Sequence, residues 1–284
     1  MTLSGPATLL SLFRYPVKSM IGESLSSADI TDKGLYGDRV FAVRDEIRGG
    51  IRGGKKLPQL MQFRATTEEA VRPLARITAP DGETLLSSDA DINQWLSKRL
   101  EHAVTLWPLL PAQQLEHYRR GAPDSEDFEQ ELRGIFGRLP EEPLPDLELF
   151  AEVLEFESPP GTYFDAFPIH ILSQQTLHSI SQRAPDHEFD VRRFRPNLLI
   201  DLPGTEKPFP EFDLAGQHLR VGECVFEIVG DCPRCSMTTQ GFADLPRDTG
   251  IMRRLVSETN GSLGCYAKVV ETGQLHVGDA ITFC

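Results

Sequence analysis

Two cysteines stand three residues apart beside a cation that could activate them. Cys232 and Cys235 enclose a proline and Arg234, and hydroxyl residues follow. A thiol acts as a nucleophile or as a metal ligand in its thiolate form, and a neighbouring arginine favours that form. The apolar run from Val225 to Val229 predicts a strand that ends at this pair. The pair is therefore a candidate for thiol or metal chemistry.

Three interpretations of the cysteine pair remain open on local spacing. A structural zinc site needs four ligands, and His218 and His276 are isolated. A thioredoxin-like pair opens a helix in a βαβ unit, whereas Gly241 follows closely here. The third interpretation is two half-buried core thiols. The cysteines are odd in number and cluster towards the C-terminus, which argues against a secreted disulfide framework; they are Cys224, Cys232, Cys235, Cys265 and Cys284.

Cations beside turn residues form a second candidate set. Lys18 and Ser19 end a strand-like run, and Arg39 follows a Gly-Asp pair. Three further arginines lie within residues 192–197, just before an apolar run. The arginine fork suits a phosphate or a planar heterocycle, and a lysine adds a point charge. Surface salt bridging is the alternative.

The elements that must position these residues are mostly short strands with some helices, an α+β class. The spacing predicts a core-facing helix that Asp89 or Asp91 caps, with its stripe at Ile92, Trp95, Leu96 and Leu100. Further helices are predicted near Phe128–Phe136 and over Leu172–Arg183, and strands over residues 197–201, 218–221, 225–229 and 276–283. Residues 49–56 are glycine-rich and basic, which predicts a mobile, solvated loop.

Acidic charge is concentrated in one segment. The chain of 284 residues has a net charge of −13, and residues 124–157 hold twelve acids against two bases, or −10. The charge argues against a broad nucleic-acid surface but leaves room for a small cationic pocket. Proline interrupts this segment, which predicts a connector or insertion that lies away from the pocket and docks a redox partner.

Several function classes lack their signatures. The sequence has no Walker loop, no Gly-x-Ser-x-Gly elbow and no His-Glu-x-x-His motif, and its glycine pairs do not form a dinucleotide fingerprint. No apolar run approaches the roughly 18 residues that a membrane span needs, and the N-terminus does not resemble a signal peptide. We therefore expect a cytoplasmic protein without a membrane span.

Taken together, the motifs resemble those of MOSC-domain proteins with an N-terminal MOSC β-barrel, a family that includes the amidoxime-reducing components. The ordered set that carries the resemblance is Tyr15-Pro16-Val17-Lys18-Ser19, Gly37-Asp38-Arg39, Phe194-Arg195-Pro196-Asn197, Pro233-Arg234-Cys235, Thr238-Thr239, Asp248-Thr249-Gly250, Gly264-Cys265-Tyr266 and His276-Val277-Gly278-Asp279. The resemblance implies an N-terminal β-barrel-like domain over residues 1–111, an acidic connector over 112–160 and a MOSC β-barrel domain over 161–284.

The resemblance also implies a molybdenum cofactor, a pyranopterin dithiolene with a terminal phosphate, held between the two domains. Cys235 would be the thiolate ligand of molybdenum and the catalytic residue. The implied cofactor contacts are Lys18, Ser19, Arg39, Asp165, Arg195, Asn197, Arg234 and Tyr266. The family also carries an association with pyridoxal phosphate binding.

The sequence departs from the family pattern near this site. Ala166 and Phe167 stand where relatives often have hydroxyl residues, and Arg193 replaces an amide. The loop from Thr239 to Gly250 is longer than in the amidoxime reducers. Some relatives carry a fused ferredoxin domain, whereas this sequence stops after the last predicted strand. We therefore expect an external electron donor of the ferredoxin, cytochrome b5 or flavoprotein reductase type.

Three functional hypotheses follow. The first is a molybdenum oxidoreductase that removes oxygen from N-hydroxylated or N-oxide substrates. The second is a sulfur carrier or sulfurtransferase in which Cys235 holds a persulfide that Cys232 resolves. The third is a non-catalytic module that binds the molybdenum cofactor.

Overall fold

One sheet of the fold is a closed barrel of seven strands. The computed structural model describes residues 5–68, 73–146 and 155–283. Its strands are β1 (Ala7–Arg14), β2 (Glu23–Leu25), β3 (Ser27–Thr31), β4 (Gly34–Leu35), β5 (Phe41–Asp45), β6 (Arg64–Glu68), β7 (Leu74–Thr78), β8 (Thr84–Leu86), β9 (Val104–Pro108), β10 (Ile169–Ser173), β11 (Leu198–Asp201), β12 (His218–Val221), β13 (Cys224–Pro233), β14 (Ser262–Glu271), β15 (Gly273–His276) and β16 (Ala280–Phe283). Its α-helices are α1 (Ile92–Leu100), α2 (Leu115–Tyr118), α3 (Phe128–Phe136), α4 (Gln174–Arg183), α5 (Val191–Phe194) and α6 (Gly250–Thr259).

Strand β1 closes the barrel. The strand order is β11-β10-β14-β13-β12-β16-β1, and β1 also pairs with β11, so the sheet returns to its first strand. Closure leaves none of these seven strands with an open edge, which removes a surface for aggregation. Leu9, Leu12 and Phe226 are fully buried in the barrel core. The barrel therefore combines one strand from the start of the chain with six from its second half.

The N-terminal part forms a second core around short sheets. Strands β6, β7 and β8 form an antiparallel sheet, and β5 pairs with β9. Helix α1 buries all four residues of its predicted stripe, among them Trp95 and Leu96, in a core with Phe63 and Ile77. The predicted helix is therefore confirmed. Its N-cap is Asp91, although the Asp91 side chain makes no capping hydrogen bond.

One further helix prediction is confirmed, and two other predictions differ in detail from the structure. Helix α3 has the predicted bounds, because the Asp127 side chain accepts a hydrogen bond from Gln130 N. Helix α4 begins at Gln174 rather than at Leu172, since β10 continues to Ser173, whose hydroxyl caps the helix. The predicted final strand is two strands, β15 and β16, separated by a turn at Gly278 with φ of 97°.

The prediction of a mobile, solvated loop at residues 49–56 is wrong. Residues 50–54 are buried, and a side chain at Gly50 would approach Gly121 N within 2.4 Å. The flanking cations are paired: Lys55 contacts Glu157, and Lys56 contacts Asp124 and Glu131. Glycines are therefore needed here for close packing rather than for mobility.

Glu157 of the acidic segment lies near Lys18 of the candidate site, against the sequence prediction. Gly54 N in the same glycine-rich loop donates a hydrogen bond to Ser19 Oγ at 2.8 Å. Through Lys55 and Lys56, the acids Asp124, Glu131 and Glu157 therefore hold the loop that supports a candidate site residue. A role of the remaining acids in docking a partner stays a prediction, and residues 147–154 lie outside the described residues. No helix of the described ranges is long and apolar enough to cross a membrane.

Candidate functional site

One cavity brings together all nine residues that the sequence analysis singled out for a site. The cavity has about 550 Å³ of space between its lining atoms, part of it open to solvent. The nine are Lys18, Ser19, Arg39, Asp165, Arg195, Asn197, Arg234, Cys235 and Tyr266. The lining also includes Phe167 and Arg193, which the sequence places near the site as departures from the family pattern, and His170 and Met237, for which the sequence predicted no role.

Turns at the ends of strands carry most of these residues. Lys18 and Ser19 follow β1, Arg39 lies between β4 and β5, and Cys235 follows β13. Backbone hydrogen bonds join the first two turns, because Lys18 N donates to Phe41 O at 2.8 Å and Arg39 N donates to Tyr15 O at 2.7 Å. The cavity therefore lies where the barrel meets the loops of the N-terminal part.

Three of the cavity residues adopt the left-handed backbone region. The φ angles are 69° at Ser19, 50° at Arg39 and 55° at Arg195. Residues other than glycine rarely adopt this region, and such strain concentrates at functional sites. The surrounding hydrogen bonds hold these turns in a conformation that local sequence preference opposes.

The Lys18 ammonium is already paired within the protein. Lys18 is 3% exposed, and its Nζ donates to Asp165 Oδ1 at 2.9 Å, to Tyr163 O at 3.0 Å and to Ser158 Oγ at 3.2 Å. Burial lowers the pKa of Lys18, and Asp165 partly offsets this effect. Lys18 therefore fixes the segment that carries Asp165.

Asp165 turns a charged carboxylate towards the cavity. Its side chain is 54% exposed. Desolvation at the cavity mouth opposes ionisation, but the charges of Lys18 and Lys55 outweigh it and lower the pKa of Asp165. The ionised carboxylate can accept hydrogen bonds from N–H groups of a ligand.

Arg39 and Arg195 lie on the same aromatic ring. The guanidinium carbons are 5.1 Å and 4.2 Å from the Tyr15 ring centre. Asp38 pairs with Arg39, whereas Arg195 has no ion-pair partner within the described part of the chain and donates to Met20 O. Burial and the like charge of Arg39 lower the pKa of Arg195 to about 10. A cation without an anionic partner favours an anion in this cavity.

Arg234 presents one donor that no described residue of the protein accepts from. Its Nη1 donates to Cys232 Sγ at 2.7 Å and its Nη2 donates to Phe194 O at 2.7 Å. Its Nε is buried and has no hydrogen-bond partner among the described residues. An unpaired buried donor is costly, so it indicates a missing acceptor.

Cys235 differs from the other described cysteines in its exposure. Cys224, Cys232 and Cys265 are completely buried, whereas Cys235 is partly exposed and lines the cavity. Burial raises the pKa of Cys232 and of Cys265. Of these four thiols, Cys235 is thus the one that can reach a ligand.

Two further residues of the cavity, His170 and Arg193, have identifiable roles. His170 Nε2 lies 3.1 Å from Leu263 O, and burial together with Arg234 lowers the pKa of His170, so the ring is neutral. Arg193 is fully buried and donates to the carbonyls of Gln240 and Pro246, which anchors the 239–250 loop. No local pattern distinguishes His170 from a core position, whereas Arg193 belongs to the cluster of arginines within residues 192–197.

Two family models match the chain in succession. The MOSC N-terminal beta barrel domain matches residues 6–107, and the MOSC domain matches residues 160–282. The chain belongs to the MOSC-domain proteins. This MOSC protein is 26% identical over 300 residues to mitochondrial amidoxime reducing component 2 of Bos taurus, covering 96% of the chain and 82% of that relative.

Two further relatives and one solved structure are also similar to this chain. Mitochondrial amidoxime-reducing component 1 of Mus musculus is 24% identical, over 96% of this chain and 81% of its own. Molybdenum cofactor sulfurase of Drosophila grimshawi is 27% identical over 81% of this MOSC protein but only 27% of its own length. Among solved structures, the YUAD protein of Bacillus subtilis has a TM-score of 0.43 and 12% identity, over 98% of this chain and 94% of that one.

Proposed function

We propose that this MOSC protein is a molybdenum-cofactor oxidoreductase that reduces N-hydroxylated or N-oxide substrates. The convergence of Cys235 with five cations in one cavity carries the proposal. A soft thiolate suits a transition metal, and arginine forks suit a phosphate. The unpaired Arg234 Nε and the absence of an ion pair at Arg195, within the described residues, fit an anionic cofactor. The relatives named as amidoxime-reducing components support the choice of reaction.

Different residues of the cavity would bind different parts of such a cofactor. Cys235 would bind the metal, while Arg39, Arg195 and Arg234 would bind the phosphate and the oxygen atoms of the pterin. Asp165 would accept hydrogen bonds from ring N–H groups. Lys18 acts through Asp165, because its donors are already used within the protein.

The remaining contacts come from smaller polar groups. Ser19 Oγ, Asn197 and Tyr266 line the same cavity. The bound cofactor would supply the two-electron chemistry that converts an N–OH group to N–H with release of water. Protons would come from solvent through the open side of the cavity, and electrons from an external donor of the ferredoxin, cytochrome b5 or flavoprotein reductase type.

The geometry favours molybdenum over pyridoxal phosphate in this cavity. Pyridoxal phosphate enzymes use a lysine amine to form a Schiff base. Within the described residues, Lys18 is the lysine lining the cavity, and its ammonium is buried in contacts with Asp165 and Tyr163.

Metal content and turnover test the proposal together. Wild type, Cys235→Ala and the matched control Cys224→Ala are purified from a host that makes the cofactor. We expect about one molybdenum per chain in wild type and control, because the binding cations are unchanged. Cys235→Ala should keep part of the metal through those cations but lose reduction of benzamidoxime with a suitable reductase pair. Absence of molybdenum from wild type would contradict the proposal.

A sulfur-carrier function is the second candidate. The accessible thiol of Cys235 and the relative named as a molybdenum cofactor sulfurase favour it. Against this function, Cys232 is completely buried and its Sγ accepts a hydrogen bond from Arg234 Nη1. A thiol in this position is poorly placed to attack a persulfide on Cys235. A metal-free wild type that carries one extra, reductant-labile sulfur on Cys235 would support this candidate. A metal-loaded chain without turnover would instead indicate a cofactor-binding module.

A further inference from the structure

A groove lies beside the turn that carries Cys235. Helix α3, the start of α6 and the 3-10 turn Ser236–Thr239 form its walls. The space between its lining atoms is about 1120 Å³, part of it open to solvent. Ser236 lines the groove and directly follows Cys235, so the two Cα atoms are about 3.8 Å apart. One wall of the groove therefore begins next to the proposed metal ligand.

Among the described residues, all charged side chains that line the groove are arginines. They are Arg133, Arg138, Arg247 and Arg253, and no described aspartate or glutamate lines it. The charges of two of these arginines are neutralised by glutamates that do not line the groove. Arg133 pairs with Glu129, and Arg253 pairs with Glu142. The other two determine the net charge of the groove.

Arg138 and Arg247 have no carboxylate partner within the described ranges. Arg138 is 6% exposed, and it donates to the neutral acceptors Pro143 O, Asn260 O and Met252 Sδ. Arg247 is exposed and forms no ion pair with a described residue. Burying the Arg138 charge without an ion pair is unfavourable, so an anion in the groove would be stabilised, and the exposed Arg247 adds a second positive charge.

The groove also offers apolar surface. Leu139, Pro140 and Met252 line it, and a side chain at Gly134 would meet nothing within 4 Å. Ligand sites commonly combine apolar walls with a few placed polar groups. The combination fits an organic anion better than an inorganic one.

We infer that this groove selects substrates with an apolar body and an anionic group, which binds near Arg247 and Arg138. The inference rests on the proposed function, because the N-oxygenated group at the other end of the substrate would be reduced in the cavity that Cys235 lines. The substrate class is then an N-oxygenated organic anion. The α3 wall belongs to the acidic segment, so that segment contributes to substrate choice.

Paired probes test the groove by binding and by turnover. The probes are neutral benzamidoxime, 4-carboxybenzamidoxime and a longer 4-carboxyalkyl analogue. Binding is measured by ligand-observed NMR on the oxidised, molybdenum-loaded chain without an electron donor, so that no turnover occurs. The variants are Arg247→Glu and the matched control Arg254→Glu, which changes an exposed arginine on α6 outside the groove lining.

We expect wild type to bind at least one carboxylate probe about tenfold more tightly than benzamidoxime, as a charge-assisted contact allows. Arg247→Glu should abolish that preference, and Arg254→Glu should keep it. The ratio of kcat/KM for the anionic and neutral probes should change in the same way, mainly through KM.

Two results would overturn the inference. One is equal affinity of wild type for the neutral and both anionic probes. The other is an equal effect of Arg247→Glu and Arg254→Glu, which would indicate only a general charge effect. Failure of the proposed function gives a different result. A chain that binds the anionic probes selectively but reduces none of them would support the groove inference and contradict the proposed reaction.

Discussion

Arg234 and Cys232 show how one residue of the cysteine pair supports the other. Cys232 Sγ accepts a hydrogen bond from Arg234 Nη1 and also hydrogen-bonds the side chain of Tyr266. Because both partners line the cavity, the buried sulfur orients two candidate ligand contacts while Cys235 stays accessible. The two thiols thus differ in role although they share one motif.

Thiol reactivity follows from this difference. In metal-free chain, we expect iodoacetamide to modify Cys235 well before Cys224, Cys232 and Cys265, because those three thiols are completely buried. Peptide mass spectrometry after a short exposure measures the order. Loading with the cofactor should protect Cys235. Faster modification of Cys232 than of Cys235 would contradict the geometry.

At the scale of elements, ion pairs hold the glycine-rich loop against the site. Lys55 and Lys56 of that loop contact acids that lie beyond residue 120, and Gly54 contacts Ser19. Glu157 is central to this arrangement, because it pairs with both Lys55 and Arg120 and is 7% exposed. The acidic segment therefore stabilises a wall of the cavity.

Replacing Glu157 tests that arrangement. Glu157→Gln should lower the free energy of unfolding at neutral pH by about 3 kcal/mol, because breaking a buried pair leaves cations without a partner. Burial opposes ionisation of Glu157, but Lys55 and Arg120 lower its pKa below the ordinary 4.5. The stabilisation is therefore present above pH 4.5 and is lost as the pH falls through the folded-state pKa.

Urea unfolding of wild type and variant over a pH series measures the effect. The difference between them should narrow below pH 4.5, the ordinary pKa of the group. Glu155→Gln is the control, since its pair with Arg119 is exposed and should matter little. Equal losses in the two variants, or a difference independent of pH, would count against the proposed role of Glu157.

Local sequence signals predicted the elements that depend on nearby residues. The spacing of Ile92 and Leu96 determines α1, and the Asp127 cap determines the start of α3. The packing of residues 50–54 could not be predicted in this way, because it depends on contacts such as that of Lys56 with Glu131, 75 residues away. Local sequence signals were also insufficient for the cavity. Family resemblance indicated nine of its residues, whereas His170 and Met237 were found only in the structure.

At the scale of the whole molecule, β1 connects the two halves of the chain. It pairs with β11 and β16 of the barrel, and the residues that follow it provide Lys18 and Ser19. The cavity is thus built between parts that are distant in sequence. The strongly acidic net charge coexists with a cationic site, because part of the acid content is paired with Lys55, Lys56 and Arg120.

The central claim is that Cys235 supplies a sulfur ligand to molybdenum in this cavity. X-ray absorption at the molybdenum edge, on wild type and Cys235→Ser loaded in the same host, tests it most directly. Because the cations would still hold the cofactor, the variant should contain molybdenum. We expect one sulfur neighbour fewer around the metal in the variant than in wild type. An unchanged number of sulfur neighbours would contradict it.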